Sequence, residues 1–315
     1  MIRELLQRLE TEQENIYIQT HNFPDPDAVA SAYGLQQLLK INGIKSRIIY
    51  DGVIQRTALS NMIKDFSIDI HQSGDYLLSK KDKIIIVDGC KRNKNVTDLI
   101  GEEIAVIDHH PGKEPEDVEF VDIYPEVGAC ASIITSYFIE LNFRIPVNVA
   151  TVLLTGLFRD TDCMTRGVCP MDVQAYTELF KTADNFKVNS IVLNNITLAD
   201  LNYYTRVIRD LKTEGDIAFC YIKEECNQNL LGILGDFLLS LEEIRFTALF
   251  ADNHNVINIS FRNESVEINA AEVMKTIVSG IGSGGGHKQM AGGVIDSKVD
   301  FNPEAMFNKI ITLIQ

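Results

Sequence analysis

Three short apolar runs in the first half of this chain each end at, or just before, histidine and carboxylate side chains. The runs are residues 16–18, 84–87 and 104–107, and the polar residues that follow them are His21, Asp25, Asp27, Asp88, Asp108, His109 and His110. If the runs are neighbouring strands of an open parallel sheet, their carboxyl ends share one edge, which is where such sheets bind ligands. The pattern therefore favours folds in which these distant residues converge on one acidic, histidine-bearing site.

The order of apolar and amphipathic segments in the first half predicts an α/β fold. Nearly continuous β-branched runs are typical of strands buried on both faces, whereas Ala28, Ala32, Leu35 and Leu39 recur at helical spacing. The predicted strands are residues 16–20, 46–50, 83–88 and 103–108, and the predicted helices are residues 28–40, 127–142, 147–159 and 170–181. Strands that alternate with helices indicate a doubly wound, mainly parallel sheet, which we assign to a catalytic domain of residues 1–184.

The pattern is interrupted by an asparagine-rich stretch and then begins again. We interpret residues 185–204 as a partly helical linker and residues 205–315 as a smaller α/β domain with a mixed sheet. Its predicted strands are residues 216–222, 245–251 and 256–261, and its predicted helices are residues 230–241, 269–278 and 303–314. A chain of 315 residues is long enough for two such domains, and we expect the active site in the cleft between them.

The composition is that of a globular protein and excludes one class of partner. Hydrophobic residues make up 45% and charged residues 23% of the chain, and the formal net charge is −15. Long duplex nucleic acid binds to a broad Lys/Arg surface, which such an acidic chain does not favour. The six cysteines include no C-x-x-C pair, and no apolar run has the pattern of a signal peptide or the length of a membrane span. We therefore expect a cytoplasmic protein with reduced thiols and no membrane partner.

The segment from His21 to Asp27 has the composition of a metal-binding loop. Pro24 and Pro26 restrict the backbone around Asp25, so the two Asp carboxylates are held in defined directions. One imidazole and two carboxylates supply nitrogen and oxygen ligands to a divalent ion. The structural alternative is that Asp27 only caps a helix beginning at Ala28. That alternative explains Asp27 but neither His21 nor Asp25.

Two further motifs end predicted strands. Asp88 and Asp108 can each be explained as a turn residue after an apolar strand. The adjacent pair His109 and His110 is harder to explain in that way, although a single histidine is more often a core residue than a ligand. The motifs therefore add candidate ligands at the same sheet edge.

Two later features indicate the binding of ions. Asp160 and Asp162 come at the end of an apolar helix, where a negative charge is unfavourable unless a cation lies nearby. Residues 282–293 are glycine-rich and contain His287 and Lys288. Glycine-rich backbone can turn its N–H groups inward to form a nest for anions, and the alternative is a flexible linker. Because a predicted helix and a strand-like segment flank the run, we favour anion binding.

Taken in order, these motifs resemble those of the DHH phosphoesterase superfamily. They read H-N-x-P-D-P-D, a strand-ending V-D-G, D-H-H-P, D-T-D after an apolar helix, and G-G-G-H-K-x-x-A-G. The resemblance covers nearly the whole chain and is strongest to the branch of oligoribonucleases (nano-RNases) and phosphoadenosine-phosphate phosphatases, which carries a DHH-associated C-terminal domain. The chain departs from the family around D-T, where Arg159 and Arg166 are either phosphate contacts or salt-bridged residues.

The resemblance implies a role for each motif residue. Two divalent ions, usually Mn²⁺ with Mg²⁺ as the alternative, would be held by His21, Asp25, Asp27, Asp88, His109 and Asp160. Within this set Asp88 would bridge both ions, and Asp108 would support the site. The implied catalytic residues are Asp88, His109 and His110, of which His110 would face the substrate phosphate. The implied substrate-binding residues of the second domain are Arg262, Gly284, Gly285, Gly286 and His287.

The resemblance also implies metal-assisted hydrolysis of phosphate esters. The expected substrates are short oligoribonucleotides and small nucleotides such as 3′-phosphoadenosine 5′-phosphate, and a homodimer is left open. The acidic composition favours such short substrates over long polymers. The alternatives within enzymes are cleavage of a cyclic-dinucleotide product, polyphosphate or pyrophosphate. The alternative outside enzymes is a nucleotide-binding protein with a silent site.

Overall fold

The chain forms two compact units, each built around its own sheet. The computed structural model describes residues 2–54, 57–193, 196–296 and 301–314. The units are Met1–Asn195 and Ile196–Gln315, and each contains one six-stranded sheet. Among the described residues, no helix is both long and apolar enough to cross a membrane. The prediction of a mainly parallel sheet followed by a unit with a mixed sheet is confirmed.

The sheet of the first unit is entirely parallel in its described pairings. Its strands are β1 Ile16–Thr20, β2 Arg47–Tyr50, β3 Ile70–Gln72, β4 Lys83–Val87, β5 Glu102–Asp108 and β6 Phe120–Ile123. They lie in the order β3-β2-β1-β4-β5-β6, with parallel neighbours throughout. Every residue of β1 and β4 is buried, which explains why these central strands are continuous apolar runs rather than alternating ones.

Helices cover this sheet through one large hydrophobic core. They are α1 Ile2–Glu10, α2 Pro26–Ile41, α3 Thr57–Asp65, α4 Cys130–Glu140, α5 Val147–Asp160, α6 Pro170–Phe180 and α7 Asn185–Leu193. Ile18, Val87 and Ile107 of the central strands belong to the same core as the helices, whereas Ile86 and Val106 point into a smaller cluster. Because strand side chains alternate between faces, the sheet is buried on both sides.

The strand register places three motif residues at one level of the sheet. Thr20 pairs with Val87, and Val87 pairs with Ile107. The next residues along these strands are His21, Asp88 and Asp108. The strand order reverses between β1 and β4, and in open α/β sheets ligands bind at the carboxyl edge next to such a reversal.

The second unit has a mixed sheet with helices on both faces. Its strands are β7 Lys212–Glu214, β8 Ile217–Ile222, β9 Phe246–Asn253, β10 Val256–Asn263, β11 Gly282–Gly286 and β12 Met290–Asp296, in the order β11-β12-β10-β9-β8-β7. Only β8 and β9 run parallel; the other described pairs are antiparallel. The helices are α8 Leu201–Asp210, α9 Gln228–Leu239, α10 Ala270–Val278 and α11 Pro303–Ile314. One core contains α10 and α11, and the other contains α8 and α9.

Several elements differ from the sequence prediction for physical reasons. Strands β3, β6 and β7 were not predicted, because they have three or four residues and are only partly buried or exposed. The glycine-rich run was predicted as an inward-turned loop, but Gly282–Gly286 forms strand β11 at the edge of the sheet. The stretch 185–204 holds α7, which packs in the first core, and the beginning of α8.

Candidate metal centre

The loop after β1 is fixed by hydrogen bonds of Asp25 and of Phe23. Asp25 is the N-cap of α2, since its Oδ1 accepts the backbone N–H groups of Asp27 (2.9 Å) and Ala28 (3.1 Å). The alternative in which Asp27 caps this helix is therefore wrong. Phe23 has a left-handed φ of 56°, and its N–H donates to the carbonyl of Asp51 at 2.9 Å. The loop is thus fixed on both sides of the prolines.

Asp27 is fully buried and lies at the beginning of another helix, α4. Its Oδ2 accepts the N–H of Cys130 at 2.6 Å, and its Oδ1 accepts the N–H of Ala131 at 3.1 Å. The N-terminus of a helix stabilises a negative charge. Burial nevertheless raises the pKa of this carboxyl well above its ordinary value, and the charges of Asp88 and Asp160 raise it further. A bound cation would offset these effects.

Asp88 lies between two histidines at the end of β4. Its Oδ2 is 3.6 Å from Nε2 of His21, and its Oδ1 is 3.2 Å from Nε2 of His109. The residue has a left-handed φ of 57°, and its N–H donates to the carbonyl of Ile107 at 2.9 Å. Burial favours a higher pKa, but His109, His21 and His110 lower the pKa of Asp88 to about 2. The carboxylate is therefore ionised and faces both imidazoles.

His109 and His21 are oriented in the same manner. Nδ1 of His109 lies 3.0 Å from the carbonyl oxygen of Val127, and Nδ1 of His21 lies 2.8 Å from that of Asn22. Because a carbonyl can only accept, each Nδ1 carries the proton and each Nε2 is directed toward the carboxylates. Nε2 of His109 is 3.3 Å from Oδ2 of Asp160. A carbonyl behind one ring nitrogen is the usual support of a metal-binding histidine.

His110 occupies a more exposed position than His109. The exposed fraction of the side chain is 36% for His110 and 11% for His109. Nδ1 of His110 lies 2.8 Å from Oδ1 of Asp108, and the same oxygen accepts the backbone N–H groups of His109 (2.8 Å) and His110 (3.2 Å). Asp108 therefore fixes the backbone of both histidines and the ring of the second.

Asp160 lies at the end of α5, and the neighbouring arginines Arg159 and Arg166 donate to backbone carbonyl groups. Asp160 is the last residue of α5, and Nη2 of Arg166 donates to its carbonyl oxygen at 3.1 Å. Nη1 of Arg159 donates to the carbonyl of Val192 at 3.4 Å. Asp162 begins a left-handed stretch with a φ of 48°. In this arrangement both arginines contact carbonyls of their own unit, and Arg166 satisfies the end of α5.

The donor atoms of the six predicted ligands, together with those of His110, come together in overlapping groups. The groups are His21, Asp25 and Asp88; Asp88, His109 and His110; and Asp27, His109 and Asp160, and within each group the donor atoms lie within 4.8 Å of one another. Among the described residues, Oδ1 of Asp88 and Nε2 of His109 have no hydrogen-bond partner of acceptable geometry, although both atoms are buried. Buried polar atoms are rarely left without a partner. Imidazole and carboxylate donors in this arrangement fit divalent ions such as Mn²⁺ or Mg²⁺.

The predicted substrate residues of the second unit have structural partners there. Nε of Arg262 donates to Oδ1 of Asp236 at 2.6 Å, and its Nη1 donates to Oγ of Ser260 at 3.0 Å. Gly284, Gly285 and Gly286 lie in β11, where Gly284 pairs with Gly293 of β12. A Cβ on Gly284 would lie 2.7 Å from Cγ of Met274. Tight packing of β11 against α10 thus explains glycine at this position.

His287 and Lys288 follow β11 in the turn that leads into β12. The backbone N–H of His287 donates to the carbonyl of Met290 at 2.7 Å, which closes the hairpin. In an antiparallel pair the N–H groups point alternately toward the partner and away from it. Because His287 donates toward β12, the N–H groups of Gly286 and Gly284 point away from it, at the open edge of the sheet.

Two groups that support the ligands were not found by sequence reasoning. Asp172 is buried in the first turn of α6, and its carboxylate accepts the N–H of Gly128 and the hydroxyl of Ser132. Val127 supplies the carbonyl behind His109. From the sequence alone, Asp172 is an ordinary acidic residue in the first turn of a helix. No local signal connects it to Gly128, 44 positions earlier.

Two family models match this chain, one in each of its two units. The DHH family N-terminal domain matches residues 15–157, and the DHHA1 domain matches residues 214–314. The first match contains five of the six predicted ligands; Asp160 lies three residues beyond its end. The second contains Arg262 and the whole glycine-rich run.

Three similar proteins illustrate how the likeness extends over the chain. The uncharacterized protein MJ1633 of Methanocaldococcus jannaschii is 32% identical over 89% of this chain, which spans 58% of that protein. The bifunctional oligoribonuclease and PAP phosphatase NrnA of Mycoplasma genitalium is 22% identical over 90% of both chains. An exopolyphosphatase-related protein from Bacteroides fragilis has a similar structure, with a TM-score of 0.81, 18% identity and coverage of 99% of this chain and 95% of that one. The last comparison concerns the fold alone.

Proposed function

We propose that this chain, which belongs to the DHH family of phosphoesterases, is a metal-dependent hydrolase of short oligoribonucleotides and small phosphorylated nucleotides. The observation that carries the proposal is the position of Asp88, whose two oxygens face Nε2 of His21 and Nε2 of His109. A carboxylate with a histidine on each side is suited to bridge two divalent ions, and two-metal sites are common in phosphatases and nucleases.

The proposed roles follow from the position of each side chain. His21, Asp25, Asp27, Asp88, His109 and Asp160 would hold the ions, and Asp88 would contact both. The bound ions would supply a water molecule of lowered pKa and neutralise charge on the phosphate. His110 is the more exposed histidine and is oriented by Asp108, so we assign it to the substrate phosphate.

The proposed substrate class is supported by likeness and by charge. The NrnA protein of Mycoplasma genitalium, an oligoribonuclease and PAP phosphatase by name, aligns over 90% of both chains. The formal net charge of −15 is unfavourable to a long polyanion. A substrate of a few nucleotides needs only local positive charge near the scissile phosphate.

We assign recognition of the rest of the substrate to the second unit. Arg262, Gly284, Gly285, Gly286 and His287 are the proposed contacts. The outward N–H groups of Gly284 and Gly286 are suitable donors to phosphate oxygens, because no side chain at these positions blocks their approach. Arg262 is held by Asp236 and Ser260, so its guanidinium would offer the substrate a preset orientation.

A second candidate is hydrolysis of inorganic polyphosphate or pyrophosphate. The protein from Bacteroides fragilis whose fold is similar at a TM-score of 0.81 is described as exopolyphosphatase-related. The same metal chemistry would serve a phosphoanhydride. The two candidates differ in whether the substrate carries nucleosides.

A substrate panel tests the proposal. Release of phosphate or mononucleotide would be measured from a diribonucleotide, 3′-phosphoadenosine 5′-phosphate, a linear product of a cyclic dinucleotide, pyrophosphate and polyphosphate, with Mn²⁺, with Mg²⁺ and with EDTA. We expect turnover of the first two substrates with Mn²⁺ and none with EDTA. Exclusive turnover of pyrophosphate or polyphosphate would favour the second candidate, and metal binding without turnover of any substrate would contradict both.

The matched control for this panel lies at the other end of β4. Asp82 precedes the strand that Asp88 follows and is also buried; it accepts the N–H of Ser79 at 2.7 Å and Nδ2 of Asn15 at 3.0 Å. Asp82→Asn alters a buried, hydrogen-bonded carboxylate without touching the candidate metal centre. We expect it to retain turnover that Asp88→Asn loses.

A further inference from the structure

A single peptide group connects Asp172 to His109. The N–H of Gly128 donates to Oδ2 of Asp172 at 2.9 Å. The carbonyl of the same peptide group belongs to Val127 and accepts from Nδ1 of His109 at 3.0 Å. Two hydrogen bonds to the same amide therefore connect the Asp172 carboxylate to the imidazole of His109. Nε2 of that imidazole faces Asp88 and Asp160.

The surroundings of Asp172 hold its carboxylate in one position. The residue is 0% exposed. Besides Gly128, its Oδ2 accepts the N–H of Cys169 at 2.8 Å, and its Oδ1 accepts the hydroxyl of Ser132 at 2.6 Å. Three donors from two segments of the chain, residues 128–132 and Cys169, therefore fix both oxygens.

Only glycine at position 128 lets the Val127–Gly128 peptide group lie this close to Asp172. A Cβ at this position would lie 2.7 Å from Cγ2 of Thr161, 2.9 Å from the carbonyl oxygen of Gly167 and 3.2 Å from Oδ2 of Asp172. Thr161 directly follows the candidate ligand Asp160. The same close contact thus brings the peptide group against Asp172 and against the segment that presents Asp160.

The simplest alternative is that Asp172 only caps α6. It occupies the third position of that helix, and its side chain accepts from the backbone of Cys169, the N-cap residue. A capping box needs that bond alone. It does not need the bond that Asp172 accepts from the N–H of Gly128, 44 residues earlier.

We propose that Asp172 is a positioning residue for the metal centre and acts on His109 through the Val127–Gly128 peptide group. A carboxylate on the N–H side of an amide polarises it and makes its carbonyl a stronger acceptor. The carbonyl then keeps the proton on Nδ1 of His109 and presents Nε2 to the metal. The inference rests on the proposed function, because it takes His109 as a metal ligand.

Two substitutions separate the charge of Asp172 from its hydrogen bonds. Asp172→Asn is nearly isosteric, and its amide oxygen can accept both N–H groups, so it removes mainly the charge. Asp172→Ala removes the acceptor as well. Loss of partners that orient a ligating histidine lowers metal affinity by roughly ten- to a hundredfold. We therefore expect Mn²⁺ binding, measured by calorimetry, to weaken at least about tenfold in Asp172→Ala and less in Asp172→Asn.

A second measurement needs no metal. The tautomer of His109 can be read from the ¹⁵N shifts of the imidazole rings in metal-free protein, at a pH where the ring is neutral, with the signal assigned from its loss in His109→Gln. We expect the Nδ1–H form in the wild type and in Asp172→Asn, and a mixture of both tautomers in Asp172→Ala. Asp82→Asn, which changes a buried carboxylate away from the centre, should leave the tautomer and the Mn²⁺ affinity unchanged.

The outcomes distinguish the inference from the proposed function. Wild-type affinity and tautomer in Asp172→Ala and Asp172→Asn, with only a lower melting temperature, would overturn the inference and leave Asp172 as a helix cap. If the wild type itself bound no Mn²⁺, the proposed function would fail, while the tautomer in the metal-free variants would still decide whether Asp172 acts on His109.

Discussion

The carboxylate of Asp27, on helix α2, accepts the backbone N–H of Cys130, the first residue of α4, at 2.6 Å. One candidate metal ligand therefore also fixes the end of a second helix. The residue that permits this contact lies on a third helix, α5: a Cβ on Gly156 would lie 2.8 Å from Oδ1 of Asp27 and 2.8 Å from Cβ of Ala30. The position of Asp27 thus depends on close packing of three helices.

Gly156→Ala should perturb stability and metal binding together. The added methyl group must displace Asp27 or separate α5 from α2, and overpacking of this kind costs about 1–3 kcal/mol of unfolding free energy. We expect a lower melting temperature without metal and weaker Mn²⁺ binding by calorimetry. Gly74→Ala is the control, because a Cβ there meets no atom of another described residue, its chain neighbours aside, within 4 Å. If Gly156→Ala were destabilised but bound Mn²⁺ with normal affinity, the packing of Gly156 would not determine the position of Asp27 as a ligand.

Asp88→Asn should lower the number of bound metal ions and remove most of the turnover while the fold remains intact. The backbone of Asp88 has a φ of 57°, a conformation that Asn adopts as readily as Asp. Only the second carboxylate oxygen and the charge are lost. The number of Mn²⁺ ions bound per chain and the substrate turnover should both fall, whereas the circular dichroism spectrum should not change. Full occupancy of two ions in this variant would show that Asp88 is not the bridging ligand.

His109 and His110 should respond differently to excess metal. His109 has its Nε2 against Asp88 and Asp160, so His109→Ala lowers metal affinity, and raising the Mn²⁺ concentration should restore part of the rate. His110 is more exposed and is oriented by Asp108, so His110→Ala should lower the rate at every Mn²⁺ concentration. Rates measured across a Mn²⁺ titration decide the matter; equal rescue of the two variants would remove the distinction.

The stability of the metal-free protein should fall as the pH rises above neutrality. Burial lowers the pKa values of His21, His109 and His110, but the neighbouring carboxylates outweigh it and raise all three, that of His109 well above the ordinary 6.5. A raised folded-state pKa gives stability that is complete below the unfolded pKa and is lost as the pH passes the folded one. With EDTA, we expect the melting temperature to fall as the pH rises above about 6.5.

Metal should reverse this pH dependence. Bound ions replace the protons on the histidines, so metal binding releases protons and strengthens as the pH rises. With saturating Mg²⁺ or Mn²⁺ the melting temperature should therefore stay level or rise over the same pH interval. Asp88→Asn, which cannot hold the ions in the same way, should show the same curve with and without metal. An identical fall with and without metal in the wild type would argue against histidine ligation.

The sequence was sufficient to predict that several candidate ligands lie at one edge of the sheet. Runs buried on both faces, such as 16–20 and 83–88, have few alternatives to central parallel strands, and the pairing of Thr20 with Val87 brings His21 beside Asp88. The contact of Asp27 with Cys130 was not predictable, because the two residues are 103 positions apart. Asp172 was missed for the same reason: its local role as a first-turn carboxylate hides its bond to Gly128.

The glycine-rich run shows a different limit of sequence reasoning. Glycines that could form an inward-turned nest instead form the edge strand β11, because their lack of side chains lets that strand pack against Met274 and β12. A composition that permits many backbone conformations does not select one of them. The tertiary neighbours that make the selection lie on elements whose relative position the sequence does not reveal.

Substitutions in the second unit should affect substrate binding without changing metal content. His287→Ala and Arg262→Ala each remove a proposed charge-assisted bond to phosphate, worth on the order of 1.5–3 kcal/mol. At about 1.4 kcal/mol per factor of ten, kcat/KM should fall roughly ten- to a hundredfold. Asp236→Ala is an informative companion, because it releases Nε of Arg262 and leaves its charge in place. Unchanged turnover of a diribonucleotide by all three variants would exclude this role.

Substrate length should lower kcat/KM, and salt should moderate the effect. The formal net charge of −15 repels a long polyanion, while a substrate of a few nucleotides is compensated locally by the proposed metal ions and by residues such as Arg262 and Lys288. A longer strand must extend across acidic surface, where added salt screens the repulsion. The measurement is a series of labelled oligoribonucleotides from two to about a dozen residues at two ionic strengths. We expect a decline with length that is shallower at high salt; rates that stay constant or increase with length would favour a processive exonuclease instead.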